Sequence, residues 1–481
     1  MNFGFIRYIL GWILNFQGIF LLVPCIVALI YGEKSGIAFV AASIVSLAVG
    51  FLCTRKKPKN KSFYAKDGFV SVALGWIVLS ISGALPFLIS GEITNIFDAV
   101  FETVSGYTTT GATILSDVES LSKCILFWRS FTHWIGGMGI LVFVLCILPL
   151  AGGNNMHLMR AESPGPSVGK LVPRVRSTAM ILYGIYTVLT VIEGILLLFG
   201  GMNLFDAVTT SFATAGTGGF GIRNNSMADY NVFIQNVVAV FMVLFGVNFS
   251  IYFLILVRRP KQILRSEELR VYFGIVLLST LIIGVNIRES FASIWQAWQQ
   301  AFFQVASIIT TTGFSTVDFN LWPSLSKGIL VTLMFIGACA GSTGGGIKVS
   351  RIVIAFKNMK DELSSLVHPK SVHIVRMEGK KVGNDIVRSV NTYLVLYFMV
   401  FVISLLLISL ENYSLETSFT SVAATLNNIG PGLDAVGPMD NFGKFNWFSK
   451  CIFTFDMLAG RLELVPMVIL FSPWMWKKNT K

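Results

Sequence analysis

The sequence predicts an all-α integral membrane protein. An N-terminal helical hairpin precedes four pseudo-symmetric repeats around a central pore, each repeat a span, a re-entrant half-helix with a polar loop, and a returning span. Three observations lead there. Of 481 residues, 54% are hydrophobic and only 13% charged, the balance of a membrane-embedded chain. A polar, glycine-bearing motif recurs four times, centred on Gly111, Gly219, Gly313 and Gly430, and internal repetition decides architecture before local propensity does. Dense basic segments alternate with those motifs along the chain. By the positive-inside rule this puts the basic loops on the cytoplasmic side and the glycine loops opposite.

The repeat is legible residue by residue. Phe97-Asp98-Ala99-Val100 stands as far before Gly111 as Phe205-Asp206-Ala207-Val208 stands before Gly219. The third copy ends IITTTGFST and the fourth TLNNIGPGL. Twelve residues before the four glycines stand Ala99, Ala207, Ala301 and Ser418, all small.

Taken in order, 7–31 and 35–54 form the hairpin, each long enough to cross about 30 Å of hydrocarbon as a helix. The first apolar run continues past Pro24, so it reads as a retained span rather than a cleaved signal. Hairpin and basic loop (Arg55 to Lys61) occupy 1–66, and the repeats 67–175, 176–268, 269–385 and 386–481. Repeat one spans 68–90, dips at 95–107, carries its polar loop at 108–118 and returns over 122–150; the Gly/Pro-rich basic segment 151–178 follows. Repeat two has spans at 178–200 and 232–257 and its dip at 203–215. Repeat three spans 271–287, dips at 291–309 and returns over 326–355, before the long polar stretch 356–388. Repeat four spans 389–410, dips at 414–427 and returns over 446–474. The expectation is ten full crossings with both termini cytoplasmic. An even number of crossings per repeat makes the repeats parallel, unlike inverted-repeat carriers.

Several function classes fall away. The net charge of +12 sits in short loops between apolar spans, so membrane topology and not nucleic acid is its explanation. The six cysteines show no CxxC spacing, and His133, His157, His368 and His373 form no HExxH pair, so neither a zinc site nor a disulfide framework is expected. No nucleophile stands paired with a base, and no enzyme is expected.

A polar loop after a short half-helix suits an ion filter. Glycine adopts backbone conformations closed to other residues, and a ring of carbonyls can replace a cation's hydration shell. The filter glycines are then Gly111, Gly219, Gly313 and Gly430, with the carbonyls of Thr109, Thr110, Gly218, Thr312, Asn428 and Ile429 along the path. The adjacent Gly218 and Gly219 leave the register of loop two open by one residue. The bland alternative is four turns that need glycine for backbone reasons alone. Nearby acids (Asp117, Glu119, Asp318, Asp434, Asp440) suggest a cation-concentrating outer face, or simply solvated loops.

Lower in repeat three, Gly341-Ser342-Thr343-Gly344-Gly345-Gly346 interrupts a returning span, since glycine costs about 1 kcal/mol per helical site. An unwound gate or close helix packing would each use such a stretch. Lys348 follows and is expected to face the cytoplasmic side. Arg461 stands deep in the last span, about 22 Å from its start. An arginine there faces a cavity or a partner: the gate loop beneath the filter, or a salt bridge to Asp456 or Glu193. Glu463 lies on another face of the helix. Arg129 and His133, one turn apart, are expected to support the first loop rather than to conduct.

These motifs carry a resemblance. HWIGGMGI at 133–140, ACAGSTGGGIKVSR at 338–351, LNNIGPGL at 426–433 and AGRLE at 459–463, in this order and spacing, resemble the membrane subunit of the Trk/Ktr/HKT potassium-uptake superfamily, most nearly its TrkH branch. The resemblance covers essentially the whole chain, and the N-terminal hairpin fits that branch. It implies a homodimer with one pore per subunit in the cell inner membrane. It also implies a TrkA-like cytoplasmic regulator that holds the nucleotide site, potassium ion as the only ligand of this chain, and a gate at the glycine-rich stretch. Some sodium-permeable relatives carry serine at the first filter glycine; glycine at all four positions favours potassium. The expected function is potassium uptake driven by the membrane potential, about 2.3 kcal/mol per charge per 100 mV. The alternative is a potassium carrier, a symporter coupled to protons or sodium by alternating access.

Overall fold

The computed structural model describes residues 1–58, 64–139, 175–369 and 374–473. The N-terminal hairpin is α1 (Phe3–Phe20) and α2 (Val23–Tyr31), together one apolar stretch, followed by α3 (Gly36–Thr54). Repeat one is α4 (Ala65–Ser90), α5 (Ile96–Tyr107) and α6 (Lys123–Met138). Repeat two is α7 (Val175–Phe199), α8 (Leu204–Gly216), α9 (Val232–Phe245) and α10 (Phe249–Leu256). After the short α11 (Pro260–Leu264), repeat three is α12 (Glu267–Asn286), α13 (Ile294–Ile309), α14 (Ser324–Phe335) and α15 (Val349–Val367). A two-residue hairpin, Arg376–Met377 with Lys380–Lys381, leads to repeat four: α16 (Asn384–Ile408), α17 (Leu415–Leu426), α18 (Trp447–Arg461) and α19 (Val465–Leu470). Six of the described helical stretches are long and apolar enough to cross a membrane. The protein is a multi-pass, helical membrane protein.

The re-entrant helices begin where their side chains dictate. α5, α8, α13 and α17 are capped by Asn95, Asn203, Ser293 and Ser414, whose side-chain oxygens accept from Phe97, Asp206, Trp295 and Thr417 amides. Such caps satisfy orphan amides of the first turn. With 12, 13, 16 and 12 residues, none of the four reaches across a bilayer at 1.5 Å per residue. The small residues Ala99, Ala207, Ala301 and Ser418 are all buried.

The returning spans differ from the continuous crossings expected. That of repeat one is helical to Met138, and 140–150 and nearly all of 151–178 lie outside the described residues. That of repeat two bends by 90° between α9 and α10. That of repeat three is non-helical over 336–348, wider than the glycine-rich stretch alone. That of repeat four breaks after Arg461, where Glu463 and Leu464 take positive φ of 57° and 66°. Two of these breaks satisfy each other. Cys339 N donates to Gly246 O (3.0 Å), Phe249 N to Gly341 O (3.0 Å) and Thr343 Oγ1 to Phe245 O (3.3 Å). Non-helical backbone at membrane depth is tolerated where other protein groups take its hydrogen bonds. Glu268 completes the arrangement, its Oε1 accepting from Ala340 N (2.7 Å) and Ser350 N (3.1 Å).

The repeats close into a ring through one recurring contact. The start of each returning helix reaches the half-helix of the next repeat. Lys123 lies 5.0 Å over the ring of Phe205 (one to two), Gln299 Nε2 donates to Gln235 Oε1 at 2.8 Å (two to three), Lys327 stands 3.9 Å from Glu416 (three to four), and Lys450 Nζ bonds Asp98 Oδ1 at 2.6 Å (four to one). The three lysines stand in Ser122-Lys123-Cys124-Ile125, Ser326-Lys327-Gly328-Ile329 and Ser449-Lys450-Cys451-Ile452.

The last of these joints is largely buried, with side chains 7% and 22% exposed. Lys450→Ala should therefore cost about 2 kcal/mol, and Lys327→Ala, at the exposed joint, under about 0.5 kcal/mol. Thermal unfolding of the two purified variants checks the ordering.

Candidate functional site

The four loops meet. Gly111, Gly219, Gly313 and Gly430 have φ of +78°, +77°, +85° and +99°, the left-handed region in which only glycine is unstrained. They also meet a second constraint. A Cβ on Gly111 would lie 2.0 Å from Gly218 O, one on Gly219 1.9 Å from Thr312 O, one on Gly313 1.9 Å from Ile429 O, and one on Gly430 2.9 Å from Thr110 O. Each glycine thus faces the carbonyl that precedes the equivalent glycine of the next repeat. The carbonyl oxygens of Thr110, Gly218, Thr312 and Ile429 form one closed ring in the order one, two, three, four.

The register of loop two follows from the same pattern. Thr109, Thr217, Thr311 and Asn428 all have positive φ, between 55° and 59°, two residues before Gly111, Gly219, Gly313 and Gly430. Gly219 is the counterpart of Gly111. Each half-helix ends within four residues of its ring glycine, which aims the partly negative C-terminal end of its dipole at the ring. That field favours a cation.

Side chains hold the ring from outside. Arg129 is buried and bonds Glu102 Oε1 through Nε at 2.8 Å. It also donates to Gly221 O (3.2 Å) and Thr113 Oγ1 (3.3 Å) and lies 4.1 Å over Phe220. Glu102 in turn accepts from Thr113 Oγ1 (2.9 Å) and Ile114 N (3.1 Å). His133 bridges the same two repeats. Its Nδ1 lies 2.7 Å from Gly106 O and its Nε2 3.2 Å from Phe220 N. A carbonyl can only accept and an amide only donate, so the ring is the neutral Nδ1–H tautomer. Both residues support the loops, as their spacing suggests.

The outer acids are spent on loop structure. Asp117 accepts from Asn224 Nδ2 (2.9 Å), Glu119 from Asn224 N (3.1 Å), Asp318 from Asn320 N (3.0 Å), and Asp440 pairs with Lys444 (2.8 Å). Asp434 accepts from Ser414 and from Thr417 Oγ1, and these bonds hold its carboxyl below the usual range. The cavity above the ring, about 110 Å³, is lined by the four glycines together with Arg129, Arg223 and Asp440.

The segment 336–348 lies against the ring's other side. Gly345 N donates to Thr311 Oγ1 at 2.6 Å, and a Cβ on Gly345 would lie 2.4 Å from Asn427 O. Gly344 approaches Thr310 O in the same way, 3.0 Å from its added Cβ. Ser342 Oγ bonds back to Cys339 O (2.6 Å), and Gly341 and Gly346 have φ of +68° and +65°. Lys348 departs from expectation. It is buried at 2% exposure, and its ammonium folds back onto Gly344 O and Gly345 O instead of facing the aqueous side. Two free carbonyls of an unwound turn solvate it.

Arg461 reaches this segment. Its guanidinium donates to Thr343 O (2.7 Å), Gly137 O (2.8 Å) and Gly136 O. Asp456 accepts from Ser404 Oγ (2.7 Å) instead, and Glu463 pairs with Arg351, which lies 4.0 Å over Tyr393. Two residues near the ring, Glu102 and Thr311, were not expected to act there. A carboxylate inside the apolar half-helix FDAVFETVSGY is a signal that could have found Glu102; Thr311 acts through a contact no spacing reveals. Asn428, expected on the path by its carbonyl, also braces the ring with its side chain, whose Nδ2 donates to Thr110 Oγ1 (3.0 Å) and Met457 O (2.9 Å).

The chain has close relatives. A family model described as TrkH, cation transport protein, matches residues 35–478. The Trk system potassium uptake protein TrkH of Escherichia coli (strain K12) is 39% identical over 488 residues, spanning 99% of this chain and 100% of that protein. Its namesake from Vibrio parahaemolyticus serotype O3:K6 is 37% identical over 486 residues, with the same coverage. A crystal structure of the potassium transporter TrkH from Vibrio parahaemolyticus matches with a TM-score of 0.89 at 36% identity, covering 99% of this chain and 100% of that one.

Glu102→Ala should strand the buried Arg129 and cost about 4 kcal/mol. Thermal unfolding of the variant, beside a Glu102→Gln variant that keeps an acceptor and loses less, checks it.

Proposed function

The chain belongs to the TrkH family of cation transport proteins, and on that premise we propose that it takes up potassium across the plasma membrane through a gated pore. The protein is a transport protein and not an enzyme. The observation that carries the reading is the closed ring of four backbone carbonyls, Thr110, Gly218, Thr312 and Ile429, each against a left-handed glycine of its neighbour. Peptide oxygens so arranged exchange for the water around a desolvating cation. Thr109 and Asn428 continue the path beside Gly111, Gly219, Gly313 and Gly430. The half-helix dipoles add a field of the right sign.

Closure falls to the segment 336–348. Gly341 to Gly346 cross beneath the ring, with Lys348 and Arg461 supplying positive charge there. A cation leaving the filter meets both. Opening requires that Arg461 release Thr343 O or move with it. In this reading both termini are cytoplasmic, and the basic loops on that side are where a TrkA-like regulator pulls. In this reading the nucleotide site lies on that regulator and the chain works as a homodimer in the inner membrane. The membrane potential drives entry at about 2.3 kcal/mol per 100 mV.

In bilayers with potassium on one side and sodium on the other, the purified protein should give a reversal potential far from zero, and Gly313→Ser should bring it toward zero. A reversal set instead by an imposed pH gradient would replace the pore with the proton-coupled carrier. Arg461→Ala should raise flux without the regulator by about tenfold, the worth of its charge-assisted bonds; an unchanged closed-state flux in vesicles would remove Arg461 from the gate.

A further inference from the structure

The gate segment does not merely lie under the ring; it is hydrogen-bonded into it. Thr311 holds one of the four left-handed positions, two residues before Gly313. Its Oγ1 accepts from Gly345 N at 2.6 Å, and both residues are buried. Its counterparts do otherwise. Among the described residues Thr109 Oγ1 has no hydrogen-bond partner, and Thr217 Oγ1 turns back to Gly216 O at 2.6 Å. Asn428 reaches Met457 O on α18 at 2.9 Å and Thr110 Oγ1 at 3.0 Å. Met457 stands one turn before Arg461, which holds Thr343 O at 2.7 Å.

The bonds form a circuit. It runs from loop three through Thr311 to Gly345, along the segment to Thr343, through Arg461 into α18, and through Met457 and Asn428 to loops four and one. Loop two stands outside it. We infer that Thr311 is a positioning residue that ties filter geometry to the gate segment, so that ion discrimination changes when the segment moves. This rests on the filter and gate reading given above. The physical ground is that a left-handed β-branched residue is strained and persists because its surroundings hold it. Withdrawing Gly345 N removes one of those holds from the residue that sets the Thr312 carbonyl.

Thr311→Val tests it, because valine keeps the shape and the β-branching and removes the hydroxyl that accepts from Gly345 N. Flux through vesicles without the regulator should rise about fivefold, one hydrogen bond's worth of free energy. The potassium-to-sodium permeability ratio from reversal potentials should fall together with it. Thr311→Ser, which keeps the hydroxyl, should restore both, and thermal unfolding of each variant separates loss of the bond from loss of the fold. In a Thr311→Val, Arg461→Ala double variant, the change in ratio should be smaller than the sum of the two single changes, since both act through one segment. A rise in flux with an unaltered ratio would overturn the tie, as would no change in either. An unaltered ratio in Gly313→Ser would overturn the filter reading itself; a fall there with none in Thr311→Val overturns the tie alone.

Discussion

Everything in this structure follows from the approach of four backbones to within touching distance of one another's carbonyls. A peptide oxygen left at membrane depth without a partner costs several kcal/mol. The fold nevertheless gathers four such oxygens, from Thr110, Gly218, Thr312 and Ile429. It can do so only where no Cβ stands between them, and in three of the four contacts an added Cβ would come within about 2 Å of the facing oxygen. Glycine at the ring is thus required twice over, for its φ and for its missing side chain. The fourth contact, from Gly430 to Thr110, is looser at 2.9 Å; it joins the last repeat to the first.

Fourfold backbone geometry is held by side chains that are not fourfold. Arg129, Glu102 and His133 brace loops one and two, and among the described residues no equivalent group of charges stands behind loop three. There Gln304 Nε2 bonds Thr316 Oγ1 at 3.2 Å and Ser307 Oγ bonds Phe314 O at 2.6 Å. Below the ring the asymmetry deepens, since repeats two, three and four each break their returning helix in a different way. The broken ends are economical: those of repeats two and three donate to and accept from one another, so neither leaves its backbone bare in lipid. Divergence after duplication has kept the four peptide turns alike and specialised what surrounds them.

Much of this was readable in the residues. The half-helices fall within about three residues of the expected bounds, because asparagine and serine caps and an abrupt loss of apolar residues mark their ends. Gly111, Gly313 and Gly430 could be picked out by recurrence alone, and the register of loop two could not, because Gly218 and Gly219 are chemically alike and only φ separates them. Arg461 was legible by its depth, since an arginine in hydrocarbon must have a partner, and its contact with Thr343 is one that depth suggested. Lys348 was expected to face the cytoplasmic side; the unwound turn offers it two carbonyls and buries it. The bend at Gly246 was missed for a related reason: α9 and α10 are both apolar, and the groups that force them apart come from residues about 95 positions away.

The outer joints of the ring carry a consequence of their own. Three of them rest on lysines and one on a pair of glutamine amides. Mobile ions screen exposed charges, almost fully beyond about 10 Å at 0.1 M salt and partly at contact, and hardly touch neutral amides. The Lys327–Glu416 joint is open to water, the Lys450–Asp98 joint largely closed to it, and the Gln235–Gln299 joint indifferent. The medium that supplies the cargo therefore also sets the tension of the collar around its entrance, and it does so more at the exposed joints than at the buried or uncharged ones.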